Sequence, residues 1–188
     1  DPNVGDIFTY SLVGGEGDTD NASFTIDASG NLRTAGSFDC ESKNSYSIRV
    51  RSSDDGGLWH EESFTIQIVN VNESPADLTL SASTVRENLP AGTVVGNLTT
   101  TDPDLGDVFS YSLVAGDGDT DNASFAIDAN GNLRTVAAFD FEGRGSCSIR
   151  VRTTDTGGLW HEELFTIQVT NVNESPTDLT LSASTVGE

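Results

Sequence analysis

Acidic side chains in this chain gather in turns between strand-like segments rather than along the segments themselves. In the second half of the sequence these groups are Glu87, Asp102 with Asp104, Asp140 with Glu142, Asp155 and Glu174. Hard divalent cations such as Ca²⁺ take six to eight oxygen ligands, mostly from carboxylates and carbonyls, at about 2.3–2.6 Å. Where turns from several strands meet at one end of a fold, this pattern predicts cation binding.

The polar segment NVNESP occurs at Asn70–Pro75 and again at Asn171–Pro176, and it marks a long internal repeat. The spacing of about 100 residues is the size of a whole domain, which indicates a tandem array of domains rather than a tight solenoid. A short polar segment that ends in proline has the character of a joint. The sequence predicts an incomplete unit over 1–75 that lacks its first two strands, a complete unit over 76–175, and the opening strand of a further unit over 176–188.

Short segments of alternating apolar and polar residues fill the complete unit and are typical of half-buried strands. They are Leu78–Val85, Gly92–Thr100, Val108–Val114, Ser124–Asp128, Asn132–Val136, Ser146–Arg152 and Glu163–Asn171. The alternation within Ser146–Arg152 places Cys147, Ile149 and Val151 inside. Seven short strands in about 100 residues, with no helical period, predict an all-β fold of tandem seven-stranded Greek-key β-sandwiches, the first unit being truncated.

Composition narrows the range of partners. The formal net charge is −21, which disfavours nucleic acids and anionic membranes as partners and attracts cations. No apolar run approaches the roughly 18 residues of a membrane-spanning helix. Because the chain has no methionine and no visible signal peptide, we expect a processed or excised piece of a longer protein. Cys40 and Cys147 occupy non-equivalent positions of the two repeats, so two free thiols are favoured over an intermolecular disulfide and the redox state stays open.

The complete unit carries, in order, the motifs REN, DPD, YSL, FDFE, RTTD and NVNESP. This order and spacing resembles the cadherin repeat, in the form found in large bacterial surface and secreted proteins. Each motif is short, and it is their shared order that extends the resemblance over essentially the whole chain. The resemblance implies a cadherin-like or immunoglobulin-like sandwich, Ca²⁺ as the cofactor at the junctions between repeats, and an extracellular or cell-surface location.

The resemblance also assigns calcium ligands residue by residue. For the joint between the two units it implies Asp39, Glu41, Asn70, Asn72, Glu73, Asp102, Asp104 and Asp155, with a backbone carbonyl from Val71. For the joint after the complete unit it implies Glu87, Asp140, Glu142, Asn171, Asn173 and Glu174, and for the joint before the first unit Asp1, Asn3 and Asp54. The family linker is typically D-x-N-D-N, whereas this chain has N-V-N-E-S, so that one carboxylate has become an amide and another is longer.

A second candidate calcium site lies in the loop over 117–128. Its acids stand at the first, third, fifth and twelfth positions of an EF-hand loop, and they are Asp117, Asp119, Asp121 and Asp128. Asn122 stands in place of the turn glycine, and a strand follows instead of a helix. The alternative is a polar turn in which the carboxylates accept hydrogen bonds from nearby backbone groups.

The tryptophans Trp59 and Trp160 occur at equivalent positions and share the parity of the outward-facing Gln67 and Gln168. An exposed ring could stack on a sugar, which would make the chain a carbohydrate-binding module with a polysaccharide partner. The alternative is that each tryptophan covers an edge of the sandwich or a neighbouring loop.

Taken together, these features predict an extracellular structural or adhesive repeat of a long surface protein, secreted protein or filament. Ca²⁺ shared across the linkers would turn each flexible joint into a stiff one, and the partners would be adjacent repeats or neighbouring copies. Carbohydrate binding is one alternative, and homophilic adhesion by strand exchange is another. We do not expect an enzyme, because no nucleophile–base pair or open metal site is discernible.

Overall fold

The computed structural model describes residues 5–182 and 184–185, and the chain divides into two compact units, Asp1–Asn72 and Glu73–Glu188. The division falls slightly before the predicted boundary at residue 75. Each unit is described by itself.

Unit 1 contains five strands in its described part. They are β1 (Thr9–Leu12), β2 (Phe24–Ile26), β3 (Leu32–Thr34), β4 (Ser45–Ser53) and β5 (Trp59–Gln67), with a short 3-10 turn at Asn21–Ser23 before β2. Strands β1, β4 and β5 form one antiparallel sheet in that order, and β2 pairs with β3.

Unit 2 contains eight strands. They are β6 (Asp77–Leu80), β7 (Thr84–Arg86), β8 (Val94–Thr101), β9 (Ser110–Leu113), β10 (Phe125–Ile127), β11 (Asn132–Thr135), β12 (Ser146–Thr154) and β13 (Trp160–Thr170), with a 3-10 turn at Asn122–Ser124. One four-stranded sheet has the order β10-β11-β8-β6 and the other β7-β13-β12-β9. All pairs are antiparallel except β13 with β7, which run parallel. The predicted all-β sandwich is confirmed.

The opening segment of unit 2 differs from the prediction of a single strand over Leu78–Val85. It forms β6 in one sheet and β7 in the other, so the unit has eight strands instead of seven. The chain crosses between the sheets at Ala82, whose backbone lies against Gly96 of β8. A Cβ at Gly96 would stand 2.6 Å from the Ala82 carbonyl oxygen, so this close approach requires glycine. The regular alternation through the crossing hid the change of sheet.

The core of unit 2 lies between its two sheets. Cys147, Ile149 and Val151 of β12 are almost completely buried, which confirms the predicted inward face of that strand. Leu133 of β11 and Ile167 of β13 meet them with no exposed surface. Cys147 is a free thiol, and its burial, followed by the nearby Asp121 carboxylate, raises its pKa. It therefore acts as a small apolar side chain of the core.

Unit 1 presents the same inner face more openly. Leu32 is 36% exposed and Phe64 is 43% exposed, whereas Leu133, the counterpart of Leu32, is fully buried. Around these side chains lies a cavity of about 330 Å³, lined also by Ile48 and Ile66. In unit 2 the equivalent face is covered by β6 and β8, and the described part of unit 1 contains no counterpart of these strands.

Residues 177–182 and 184–185 form no strand, although from Asp178 onward their sequence is the same as that of the segment that opens unit 2. Leu179 and Leu181 are largely exposed there. That this segment opens a further repeat stays a prediction. Within the described residues, no helix has the length and apolar character to cross a membrane.

Candidate metal centres

Three carboxylates of unit 2 converge where strands end. Asp102 directly follows β8, Asp155 directly follows β12, and Asp107 lies in the loop that leads to β9. Strands β8 and β12 belong to facing sheets, and their ends meet at the same edge of the sandwich. One oxygen from each of the three side chains lies within 4.8 Å of the others. This spacing suits one cation held by several carboxylates.

One oxygen of each carboxylate in this cluster is held by the protein. Asp102 Oδ1 accepts a hydrogen bond from the Asp104 backbone N–H at 3.0 Å, and Asp155 Oδ1 accepts one from the Leu159 N–H at 2.9 Å. The hydroxyl of Thr156 donates to Asp107 Oδ1 at 3.1 Å. These bonds orient the side chains before any ligand arrives.

Two of the remaining oxygens, Asp102 Oδ2 and Asp107 Oδ2, are buried and accept no hydrogen bond from the described residues. Leaving a buried acceptor unsatisfied costs about 1–3 kcal/mol, and more for a charged group. The same three carboxylates also repel one another. A divalent cation would satisfy both oxygens and remove the repulsion, so the donor set fits Ca²⁺.

Asp104 and Asp107 differ from the sequence-based assignment. Asp104, which was expected to be a ligand, is 7% exposed and accepts a hydrogen bond from the Glu73 N–H at 2.7 Å. It therefore fixes the start of unit 2 to the loop after β8 and lies outside the cluster of three. Asp107, which the sequence analysis did not single out, takes the third place. A signal was available, since the loop DPDLGD holds three aspartates and bends at Gly106, whose φ is +95°.

A second cluster in unit 2 is formed by Glu87, Asp140 and Glu142, whose ligand atoms also lie within 4.8 Å of one another. Glu87 is only 1% exposed. Its Oε2 accepts a hydrogen bond from the Phe141 N–H at 2.7 Å, and its Oε1 accepts one from the Val172 N–H at 2.6 Å. The structure thus brings together three of the acids that were assigned to the joint after this unit.

The other residues assigned to that joint lie beside this cluster or follow it. Asn171 Nδ2 donates to Glu142 Oε1 at 2.8 Å, and Asn88 Nδ2 donates to Glu174 Oε1 at 2.5 Å. Asn173, which lies between Asn171 and Glu174 in the sequence, is exposed. Asp140 Oδ1 accepts hydrogen bonds from the backbone N–H groups of Glu142 and Gly143.

The acidic candidates in unit 1 lie in turns, and Asp39 and Asp54 are each bonded within their own turn. Asp39 is exposed and accepts two hydrogen bonds from Ser42, one from the hydroxyl at 2.7 Å and one from the backbone N–H at 3.0 Å. These bonds, that of the hydroxyl first, lower the pKa of Asp39. Asp54 Oδ1 accepts a bond from the Leu58 N–H at 2.7 Å, which repeats the contact of Asp155 in unit 2. Glu41 is exposed.

The remaining residues assigned to the joints lie at the unit ends. Asn70 and Asn72 end unit 1 and are exposed, and Glu73 begins unit 2. Asp1 and Asn3 lie outside the described residues. A calcium role for any of these residues stays a prediction.

The loop over 117–128 does not gather its acids. Asp119 accepts a hydrogen bond from the Gly116 N–H, and Asp121 accepts one from the Ser148 N–H and pairs with Arg144. Asp128 is bonded by Asn132 and then by Arg134, and these contacts lower its pKa strongly. Asp117 is exposed, and no three of these four described carboxylates share a 4.8 Å cluster. Asp119, Asp121 and Asp128 each accept hydrogen bonds from other groups of the protein instead of facing one another. A calcium site in this loop stays a prediction.

The two tryptophans are exposed, Trp59 by 59% and Trp160 by 51%, as their parity predicts. Each ring is stacked against a guanidinium, that of Arg51 at 4.6 Å and that of Arg152 at 4.4 Å from the ring centroid. One face of each indole is therefore already occupied by an arginine. This arrangement leaves the ring less suited to a sugar than a bare surface tryptophan.

These arginines are fixed by a glutamate of the neighbouring strand. Glu162 accepts hydrogen bonds from both Arg152 and Arg150, and Glu61 is bonded in the same way in unit 1. The bonds from Arg152 and then Arg150 lower the pKa of Glu162. The outer sheet face of both units thus repeats the same Arg–Glu–Arg–Trp arrangement.

A tandem chain of all-β units with carboxylate clusters at the strand ends defines the class as a β-sandwich repeat protein with candidate cation sites. Comparison with known proteins gives the family. Residues 81–171, which make up most of unit 2, match the family model of the Cadherin domain, so this unit belongs to the cadherin domain family. The resemblance found in the sequence motifs is confirmed at this level.

The relatives found are long animal proteins. Protocadherin-16 of Homo sapiens is 34% identical over 159 residues, which are 80% of this chain and 5% of that protein. Protocadherin Fat 2 of Mus musculus is 32% identical over 163 residues, 81% of this chain and 4% of that protein. The chain thus spans about one twentieth of the length of these curated relatives. They lend no support to the expected bacterial form or to a filament.

Solved structures agree on the fold. A crystal structure of human Protocadherin-24 EC1-2 superposes with a TM-score of 0.72 at 19% identity, and the match covers 90% of this chain and 84% of that chain. At this identity the likeness shows the fold alone. A polysaccharide partner finds no support among the relatives or these structures.

Proposed function

We propose that the chain is part of an extracellular adhesion protein, in which its cadherin repeats form a spacer that Ca²⁺ stiffens at the joints. Two findings support this proposal. Unit 2 belongs to the cadherin domain family, and it carries a carboxylate cluster at each of the two sequence regions assigned to joints. The net charge of −21 favours cation binding over binding to other polyanions.

The observation that carries the proposal is the pair of buried oxygens Asp102 Oδ2 and Asp107 Oδ2, which no described residue satisfies. Protein hydrogen bonds already orient the other oxygens of the same carboxylates. A site that orients three acids and leaves two of their buried oxygens, Asp102 Oδ2 and Asp107 Oδ2, without donors among the described residues is complementary to a cation. Ca²⁺ suits it, because the ligands are all carboxylate oxygens and come from the ends of different strands.

Sharing of the ions across the linker would convert binding into stiffness. By resemblance to the family, further ligands to this ion would be Asp39, Glu41, Asn70 and Asn72. Glu73 is already bonded to the loop after β8, because its backbone N–H donates to the Asp104 carboxylate. An ion held by ligands from both units would remove the hinge at this joint, since bending would break metal–oxygen bonds.

Calcium titration and scattering test this function. We expect isothermal calorimetry of the metal-free chain to show Ca²⁺ binding, and thermal unfolding to shift upward with Ca²⁺ and back with EDTA. Small-angle scattering should show a narrower distribution of long dimensions with Ca²⁺ than with EDTA. Measurable Ca²⁺ binding without a change in scattering would reject stiffening, and absence of binding would reject the proposal as a whole.

Self-association is a second candidate, and the open inner face of unit 1 favours it. Phe64 and Leu32 are exposed around the apolar cavity, and the equivalent face in unit 2 is covered by strands. A strand donated by a neighbouring copy could cover this face, as homophilic adhesion by strand exchange requires. Sedimentation of the chain in Ca²⁺ and in EDTA tests this, and a monomer at all concentrations would reject it. The variant Phe64→Ser should weaken a dimer formed in this way.

A further inference from the structure

The segment that follows unit 2 is attached to the unit by the buried carboxylate of Glu87. This side chain accepts the Phe141 N–H on one oxygen and the Val172 N–H on the other. One carboxylate therefore joins the end of β7, the turn that carries Asp140 and Glu142, and the start of the linker. Because Glu87 is 1% exposed, water does not compete effectively for these two bonds.

Two asparagine amides extend this attachment to the other acids nearby. Asn171 Nδ2 donates to Glu142 Oε1 at 2.8 Å. Asn88 Nδ2 donates to Glu174 Oε1 at 2.5 Å, and the Asn88 backbone N–H is itself bonded to the Phe139 carbonyl. Asn88 has a φ of +61°, a left-handed conformation that asparagine tolerates better than most residues. This backbone conformation positions the Asn88 side chain, whose amide reaches Glu174.

An amide and a carboxylate at position 171 would behave in opposite ways. The Asn171 amide is a hydrogen-bond donor, and it bonds the Glu142 carboxylate directly. A carboxylate at the same place would repel Glu87, Asp140 and Glu142, and it would become favourable only when a cation was bound. The amide also occupies a Glu142 oxygen that a cation could use, so an ion must share or displace it.

We infer that Asn171 and Asn88 are positioning residues that dock the linker on unit 2 without a cation, and that Asn171 lowers the calcium affinity of this cluster relative to an aspartate. Only the claim about calcium affinity rests on the proposed calcium function. It means that the joint formed by the linker sequence N-V-N-E-S is partly ordered before calcium binds.

Hydrogen exchange in EDTA tests the docking directly, because the Val172 amide is bonded to Glu87. We expect this amide to be protected in the metal-free chain. Asn171→Asp should accelerate its exchange on the order of tenfold, the loss expected for a hydrogen bond to a charged group replaced by a repulsion. Asn88→Ala should accelerate it less, since the bond to Glu174 is farther along the chain. An unprotected Val172 amide in the unaltered chain would overturn the docking.

Calorimetric Ca²⁺ titration of the same variants tests the affinity. Asn171→Asp should tighten binding at one class of sites on the order of tenfold, whereas Asn88→Ala should not tighten it. In the exchange experiment Asn70→Asp is the control, because it adds the same charge at the equivalent position of unit 1 and should leave the exchange of Val172 unchanged. Unchanged calcium affinity in Asn171→Asp would overturn the affinity claim.

The two proposals fail in different ways. If the unaltered chain binds no Ca²⁺, the proposed function and the affinity claim fall together, while protection of Val172 in EDTA still decides the docking. If calcium binds and Val172 exchanges freely in EDTA, the docking is wrong and the calcium function stands.

Discussion

Replacing Asp107 by asparagine should make the metal-free protein more stable, which is the opposite of the usual effect of changing a buried polar residue. In the cluster with Asp102 and Asp155, the ligand oxygens lie within 4.8 Å of one another. Two like-charged pairs at such distances cost about 1 kcal/mol each in water, and more where water is partly excluded. Asp107→Asn removes both pairs, so we expect a gain of about 2 kcal/mol.

The substitution also preserves the local bonding. The asparagine oxygen can accept the Thr156 hydroxyl as Asp107 Oδ1 does. Its amide nitrogen would replace the unsatisfied Asp107 Oδ2 and could donate to the buried Asp102 Oδ2. The exchange therefore converts a repulsive contact into a hydrogen bond without a change of shape.

Thermal unfolding in EDTA and in excess Ca²⁺ measures both consequences. For a unit of this size, 2 kcal/mol corresponds to a rise in Tm of roughly 8 °C in EDTA. The same variant should show a smaller difference between Ca²⁺ and EDTA than the unaltered chain, because one ligand is lost. Asp77→Asn is the control, since Asp77 is exposed in β6 and its substitution removes the same charge. A lower Tm of Asp107→Asn in EDTA would refute the cation-site reasoning and would mean that the protein itself satisfies this carboxylate.

Three further predictions concern the sandwich. Leu133→Ala should destabilise unit 2 by about 3 kcal/mol in denaturant unfolding, whereas the equivalent Leu32→Ala should cost unit 1 clearly less, because Leu133 is fully buried and Leu32 is 36% exposed; equal losses would contradict the difference in core cover. Gly96→Ala should lower the Tm of unit 2 in a thermal scan, because its Cβ would meet Ala82 backbone atoms at 2.6 and 2.9 Å, and an unchanged Tm would show that the crossing can widen. Arg152 and Arg150 lower the pKa of Glu162 in the folded state. The ionised Glu162 therefore contributes its full stabilisation above the ordinary pKa near 4.5, and this contribution is lost as the pH falls through the folded-state pKa. Glu162→Gln should accordingly lose stability less steeply below about pH 4.5 than the unaltered chain in acid unfolding.

Much of the fold could be predicted because β-strands have a simple period. The alternation around Cys147, Ile149 and Val151 predicts which face is buried, and the structure agrees. The division of Leu78–Val85 between β6 and β7 could not be predicted in this way, because the alternation continues through the crossing at Ala82 while the pairing partner changes. The two-residue period of apolar side chains shows which side of a strand is apolar, but it does not show which sheet the strand joins.

The candidate sites were predictable to a lesser degree. The family motifs led to Glu87, Asp140 and Glu142, which the fold does bring together. Spacing alone did not predict that the Ser148 N–H, remote in sequence, binds the carboxylate of Asp121. It also missed Asp107, whose position depends on how the loop after β8 bends. The partners of a carboxylate in a turn are set by distant strands, and a local pattern does not reveal them.

The parallel pairing of β7 with β13 has a mechanical consequence for a chain under tension. Strand β7 lies near the start of unit 2, and β13 leads directly into the following linker. They are joined at Thr84 with Gln168, Val85 with Val169, and Arg86 with Thr170. A force that pulls the two ends of the unit apart acts along these strands, so it loads all the bonds between them at once instead of opening them one by one. Such a shear arrangement would let the unit resist tension until the whole ladder gives way together.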